Sequence, residues 1–163
     1  MAIDLRSVAY AVRRGLRLLQ FRRPTEAAPG SAYPGDFTGR STVRYAPRPD
    51  GDPDPGEVVW TWVPYEEDYS RGKDRPVLLV GHHGKYLLGL MMTSRDRVAS
   101  GSASDLYVDL GSGAWDRQGR ASEVRLDRIL RIRPDSVRRE GAVLDKARFE
   151  KVATGLRRRH GWT

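Results

Sequence analysis

Cysteine is absent from the 163-residue chain, which excludes disulfides and thiolate metal sites. Histidine is scarce. His82, His83 and His160 include no pair at helical metal-ligand spacing, so no zinc site is expected and no cofactor is implied. No apolar run approaches the length that crosses a bilayer, and the first residues lack the apolar core of a secretory signal. These absences lead to the expectation of a cytoplasmic protein without membrane attachment, with room for one ordinary domain and some appendages.

What is abundant is arginine. The 29 Lys+Arg outweigh 21 Asp+Glu to give a net charge of +8, and arginine greatly outnumbers lysine. Guanidinium groups grip phosphates in a fork and stack on bases, which leans toward nucleic acid. A GC-rich genome produces the same bias, so composition alone does not separate the two explanations.

The chain divides into three parts. Residues 1–23 carry six arginines and one acid, and Leu5, Val8, Val12, Leu16 and Leu19 recur at helical spacing behind Asp4. This predicts a basic amphipathic helix. Residues 24–54 alternate proline with glycine, lean acidic and end in Asp50-Gly-Asp-Pro-Asp54; helix is excluded, and an extended connector is predicted. Ser41-Thr-Val-Arg-Tyr45 has the composition of an added strand, and the acidic stretch could fold back over a basic groove as an internal mask.

Residues 55–163 read as the body. Val58–Val63, Pro76–Val80, Tyr86–Ser94, Leu106–Leu110 and Glu123–Ile132 are β-branched, aromatic or continuously apolar runs, with Gly81-His-His-Gly84 as a hairpin turn. Five short strands in so few residues point to a mainly β fold, a small barrel that leaves no open sheet edge. The chain then returns to helix, with Asp145 as N-cap and Phe149, Val152, Ala153 and Leu156 on one face. Arg157-Arg-Arg-His160 suits the negative end of the helix dipole or a contact with RNA.

Four places offer chemistry. Arg71-Gly-Lys-Asp-Arg-Pro76 presents Lys73 and Arg75 at the edge of a strand opened by Pro76, where a guanidinium can meet a phosphate or simply pair with Asp74 or Glu67. Thr93 and Ser94 end a hydrophobic strand, where hydroxyls orient a phosphate oxygen or begin a turn. Strand alternation puts Glu123, Arg125 and Asp127 on one face, either as a reactive pair or as a solvated ion pair worth little. His82 and His83 sit in a turn and point opposite ways, so they are not a natural ligand pair.

The order Pro55-Gly-Glu-Val-Val-Trp60, Gly72-Lys-Asp-Arg-Pro-Val-Leu-Leu-Val80, Met91-Met-Thr-Ser94 and Val124-Arg-Leu-Asp-Arg-Ile-Leu-Arg131 resembles the MazF/PemK (Kid-like) toxins of type II toxin–antitoxin systems. The resemblance implies an SH3-like barrel, a homodimer, a cognate antitoxin and a metal-independent endoribonuclease acting on single-stranded RNA. It assigns Arg75, Thr93, Arg125 and Asp127 to the active site. Lys73, Ser94, Trp60 and Tyr69 then stand as RNA contacts, the aromatic rings as stacking surfaces. Tyr69 occupies the place where the PemK branch carries a histidine. Two other readings of the same barrel are a non-catalytic module that binds RNA or protein and, less favoured, a gyrase poison.

Overall fold

The computed structural model describes residues 33–94 and 104–163. The expected helix over residues 1–23 lies outside them.

Seven strands build one curled antiparallel sheet: β1 (Glu57–Pro64), β2 (Gly72–His83), β3 (Tyr86–Thr93), β4 (Tyr107–Gly111), β5 (Ser122–Arg125), β6 (Leu130–Ile132) and β7 (Val137–Val143). Their order is β4-β5-β3-β2-β1-β7, with β6 also paired to β3. One helix, α1 (Lys146–His160), follows. This is a half-barrel with a C-terminal helix, the mainly β, SH3-like class expected.

Alternation along the central strands gives the sheet two buried faces. Val58, Leu78, Leu90, Met92 and Val124 point inward and meet Phe149, Val152 and Leu156 of α1. Val59, Val77, Leu79, Leu87, Leu130 and Ile132 form a second cluster on the opposite face. Burial of both faces explains why these strands read as continuous apolar runs rather than alternating ones. Gly89 lies in the second cluster, where a Cβ would come within 2.5 Å of Val77 and 2.7 Å of Ile132. Its bare backbone is what lets β2 and β6 close on β3.

α1 is capped at both ends. Asp145 accepts from the Arg148 amide at 2.9 Å, and Gly161 takes the left-handed conformation at φ 65°. The Arg148 guanidinium also donates to the carbonyls of Leu110 and Ser112, which ties the helix start to the end of β4.

Four features differ from the sequence reading. The hairpin turn falls on Gly84-Lys85, with His82 and His83 still in β2. The run Glu123–Ile132 breaks into β5 and β6. Against β3 the pairs are Met92↔Val124 on one side and Gly89↔Leu130 on the other. Residues 125–129 therefore stand opposite residues 90–91, and residues 126–129 leave the β3 ladder as an enlarged bulge. β7 was not foreseen.

Residues 33–47, expected as connector, are packed onto the body. Phe37 and Val43 are buried in the main core. The Phe37 amide donates to Ile129 O, Arg44 to Val80 O, and Val43 to Thr163 O, without forming a strand. Asp36 is bridged to Arg128, so this acid is engaged in structure. Removing residues 1–50 would thus open the core as well as any mask.

Phe37→Ala should lower unfolding stability by about 3–5 kcal/mol, as for a large buried aromatic. His82→Ala, on the exposed hairpin, should stay within about 0.5 kcal/mol. Urea unfolding of both variants checks the arm's membership of the core.

Candidate active site

The site forms where β2 and β3 part. The β2–β3 ladder runs to Val77↔Met91 and stops at Pro76, which has no N–H to extend it. Proline also holds the residue before it, Arg75, in extended backbone. Beyond Met91, β3 pairs instead with β5 through Met92↔Val124 and Thr93↔Glu123.

Paired residues share a face, so the registers can be followed across the sheet. Thr61 faces Arg75, Thr93 faces Glu123, and Glu123 faces Asp109. Thr61 and Arg75 make one polar pair across β1 and β2, and Thr93, Glu123 and Asp109 make a polar row over β3, β5 and β4. Arg125 lies two residues beyond Glu123 on the same face, opposite Tyr107.

Arg125 is the most constrained side chain of this group. Its Nε donates to Asp127 Oδ1 at 2.5 Å and its Nη2 to Asp127 Oδ2 at 2.9 Å. On its outer edge Nη1 and Nη2 donate to Glu66 at 2.7 and 3.2 Å. The guanidinium is largely covered, with 18% of its side chain exposed, against 49% for Glu66. The Arg125 hydrogen bonds, aided by its charge and that of Arg159, hold the Asp127 carboxyl below the usual carboxylate range. The same bonds push Arg125 further up, so it remains a cation. Arg75 is half-buried, and its side chain has no ion pair or hydrogen bond among the described residues. Arg125 is thus held between two carboxylates, while the Arg75 guanidinium is of the kind that can meet a phosphate oxygen.

The remaining predicted residues distribute as follows. Lys73 lies two residues from Arg75 on the same face and is exposed. Ser94 is exposed in the bend that follows Thr93. Trp60 is not gathered with them. It faces Pro76 on the opposite side of β1, and its Nε1 donates to Trp115 O at 3.2 Å. Tyr69 stands edge-on to Tyr33, with ring centroids 5.0 Å apart, on the loop between β1 and β2.

One acid of the site, Glu66, was not singled out from the sequence. Glu66 reaches Arg125 across 59 residues of chain, a pairing that no local spacing reveals. Glu123 was placed on the right face by alternation, and its burial at 5% exposed is the new information. A carboxylate in a row that should be half exposed was the available signal.

The comparisons with known proteins agree with this architecture. An endoribonuclease from a mycobacterial species, solved in complex with its cognate antitoxin, superposes with a TM-score of 0.51 at 18% identity, covering 67% of this chain and 95% of that one. The MazE–MazF structure from Deinococcus radiodurans gives 0.50 at 19% identity, over 69% of this chain and 98% of that one. At such identity the likeness is one of fold. No curated protein matches the sequence. The family described as PemK-like, MazF-like toxin of type II toxin–antitoxin system matches residues 54–159, so the chain belongs to that family.

Proposed function

We propose that the protein is a metal-independent endoribonuclease that cleaves single-stranded RNA, inhibits growth, and is held in check by an antitoxin. The observation that carries this reading is the Arg125–Asp127 fork, with Arg125 on the sheet face that it shares with Glu123 and Thr93. The family supports it, as does the antitoxin-bound state of the two superposed structures. A homodimer is part of the same reading.

In the proposed reaction the RNA 2′-oxygen attacks the adjacent phosphorus. A P–O2′ bond forms, the P–O5′ bond breaks, and the products are a 2′,3′-cyclic phosphate and a 5′-hydroxyl. Asp127 takes the 2′ proton. Both of its oxygens accept from Arg125, but a carboxylate has about four lone-pair positions and keeps room for a further proton donor. Its lowered proton affinity makes it a weak but permanently available base at neutral pH.

Arg125, pushed upward by its two carboxylates, does not surrender a proton. Its role is to stabilise the extra negative charge on the crowded phosphorus, together with Arg75. Thr93 orients a non-bridging oxygen, and Lys73 and Ser94 follow the strand beyond. The departing 5′-oxygen draws its proton from water or from a group brought by the RNA. Tyr69, where a histidine was expected, is turned to Tyr33.

Glu66 occupies the outer edge of Arg125 with the geometry a phosphate would use. Substrate therefore has to displace it.

The first test incubates the purified protein with a long single-stranded RNA in EDTA. Cleavage should occur and fall at least about 100-fold in Arg125→Ala and Asp127→Ala, as for loss of a transition-state charge contact. RNA retained without cleavage, with the variants unchanged, would establish the binding-module reading instead.

Glu66→Gln should bind an uncleavable 2′-deoxy oligonucleotide about 3–10-fold more tightly, since a competing charge worth roughly 1 kcal/mol is gone. Fluorescence anisotropy measures it.

The pH dependence has a defined sign. A carboxyl whose folded pKa is depressed stabilises the fold above its unfolded value and loses that contribution as pH falls through the folded one. Asp127→Asn should therefore lose stability near neutrality and show a shallower decline below about pH 4. Urea midpoints across that range test it.

A further inference from the structure

The enlarged bulge between β5 and β6 carries Asp127, and the last turns of α1 lie against it. Gly155 makes the close approach: a Cβ there would stand 2.7 Å from Leu126 Cδ1. Leu126 itself is buried, with 4% exposed. Its amide donates to Leu106 O at 2.8 Å, and the His160 ring nitrogen Nε2 lies 2.7 Å from its carbonyl. A carbonyl only accepts, so Nε2 carries the hydrogen and donates.

The carbonyl of Leu126 and the amide of Asp127 belong to one planar peptide unit. A hydrogen bond to one end of that plane fixes the direction in which Asp127 leaves it. We infer that His160 is a positioning residue for the Arg125–Asp127 pair: its bond to Leu126 O, with Leu126 seated on Gly155, sets the peptide plane from which Asp127 is aimed at the Arg125 fork. The inference rests on the ribonuclease reading for its kinetic consequence. Leu106 O, at the entry to β4, holds the Leu126 amide, but β3 offers the Leu126–Asp127 peptide no ladder partner. The helix supplies what the ladder cannot.

His160 stands in the last turn before Gly161, whose left-handed backbone turns the chain back so that Trp162 is buried and donates to Gly39 O. The imidazole is half-buried, and its ring lies 6.2 Å from that of Trp162. The arginines before it face outward. Of the Arg157-Arg-Arg-His160 cluster, His160 bonds the peptide that precedes Asp127, and Arg159 acts on Asp127 through its charge.

The test compares His160→Ala with His160→Gln in the full chain. Glutamine presents an amide nitrogen near the place of Nε2 and keeps the donor. For a defined RNA oligonucleotide in EDTA, His160→Ala should lose about 10–100-fold in kcat, the range for a displaced catalytic group, with KM within about threefold. Glutamine should recover most of that loss. A carbon-13 NMR titration of the Asp127 carboxyl should show it moving up toward the ordinary carboxylate value in the alanine variant and back down in the glutamine variant.

Wild-type kcat and an unmoved Asp127 titration in His160→Ala would overturn the inference. So would equal losses in both variants that follow a fall in Tm. If the unmodified protein cleaves no RNA, the ribonuclease reading fails, and the Asp127 titration in the two variants still decides the positioning role by itself.

Discussion

Five residues of one strand run have to fit opposite two of its neighbour, and the architecture of the site follows from that mismatch. Residues 125–129 cannot continue the ladder to β3, so they leave it between the Val124 and Leu130 pairs. Backbone that leaves a sheet needs other partners. Here Leu106, His160 and Phe37 provide them. The side chains thrown out by the bulge are Asp127 and Arg128. The first returns to Arg125 on the strand it came from, and the second reaches Asp36. A bulge re-aims side chains without changing the strand order, and bulges are frequent at the rims of barrels.

Residues 33–47 gain their meaning from the same feature. The arm places Asp36 and Phe37 against residues 128 and 129, and Tyr33 against Arg131 and Tyr69. It therefore touches both elements that frame Arg125: the bulge bearing Asp127 and the loop bearing Glu66. The family match begins at residue 54, so this brace is an addition in front of the common core. An added segment that packs on the parts surrounding a site can tune that site without contributing a reacting group.

Much of this was legible in residue order, and the exceptions have physical causes. The central strands are fully buried, so their apolar runs were plain, and Asp145 announced the helix. Arg125 and Asp127 were put on one face by parity, which survives even though β5 ends at Arg125. The arm was hidden because proline and glycine exclude helix and strand but not burial; Phe37 and Val43 are few and look incidental. β7 was hidden because Val137-Arg-Arg-Glu-Gly-Ala-Val143 is mostly polar and has no clean alternation. Nothing in Glu123–Ile132 breaks extended structure, so the bulge arises from what that run must pair with. The Glu66 contact and the His160 bond are long-range products of the fold and leave no local trace.

The bonds between the arm and Trp162 and Thr163 join residues 120 to 123 positions apart. On a translating ribosome, the arm emerges long before the residues that complete it, and Phe37 and Val43 have no finished core to enter. Domains made of such distant contacts close late and slowly. The arm and the C-terminal Trp162-Thr163 that it meets are therefore among the last parts of the fold to close, and the core stays open until the end of the helix has been made.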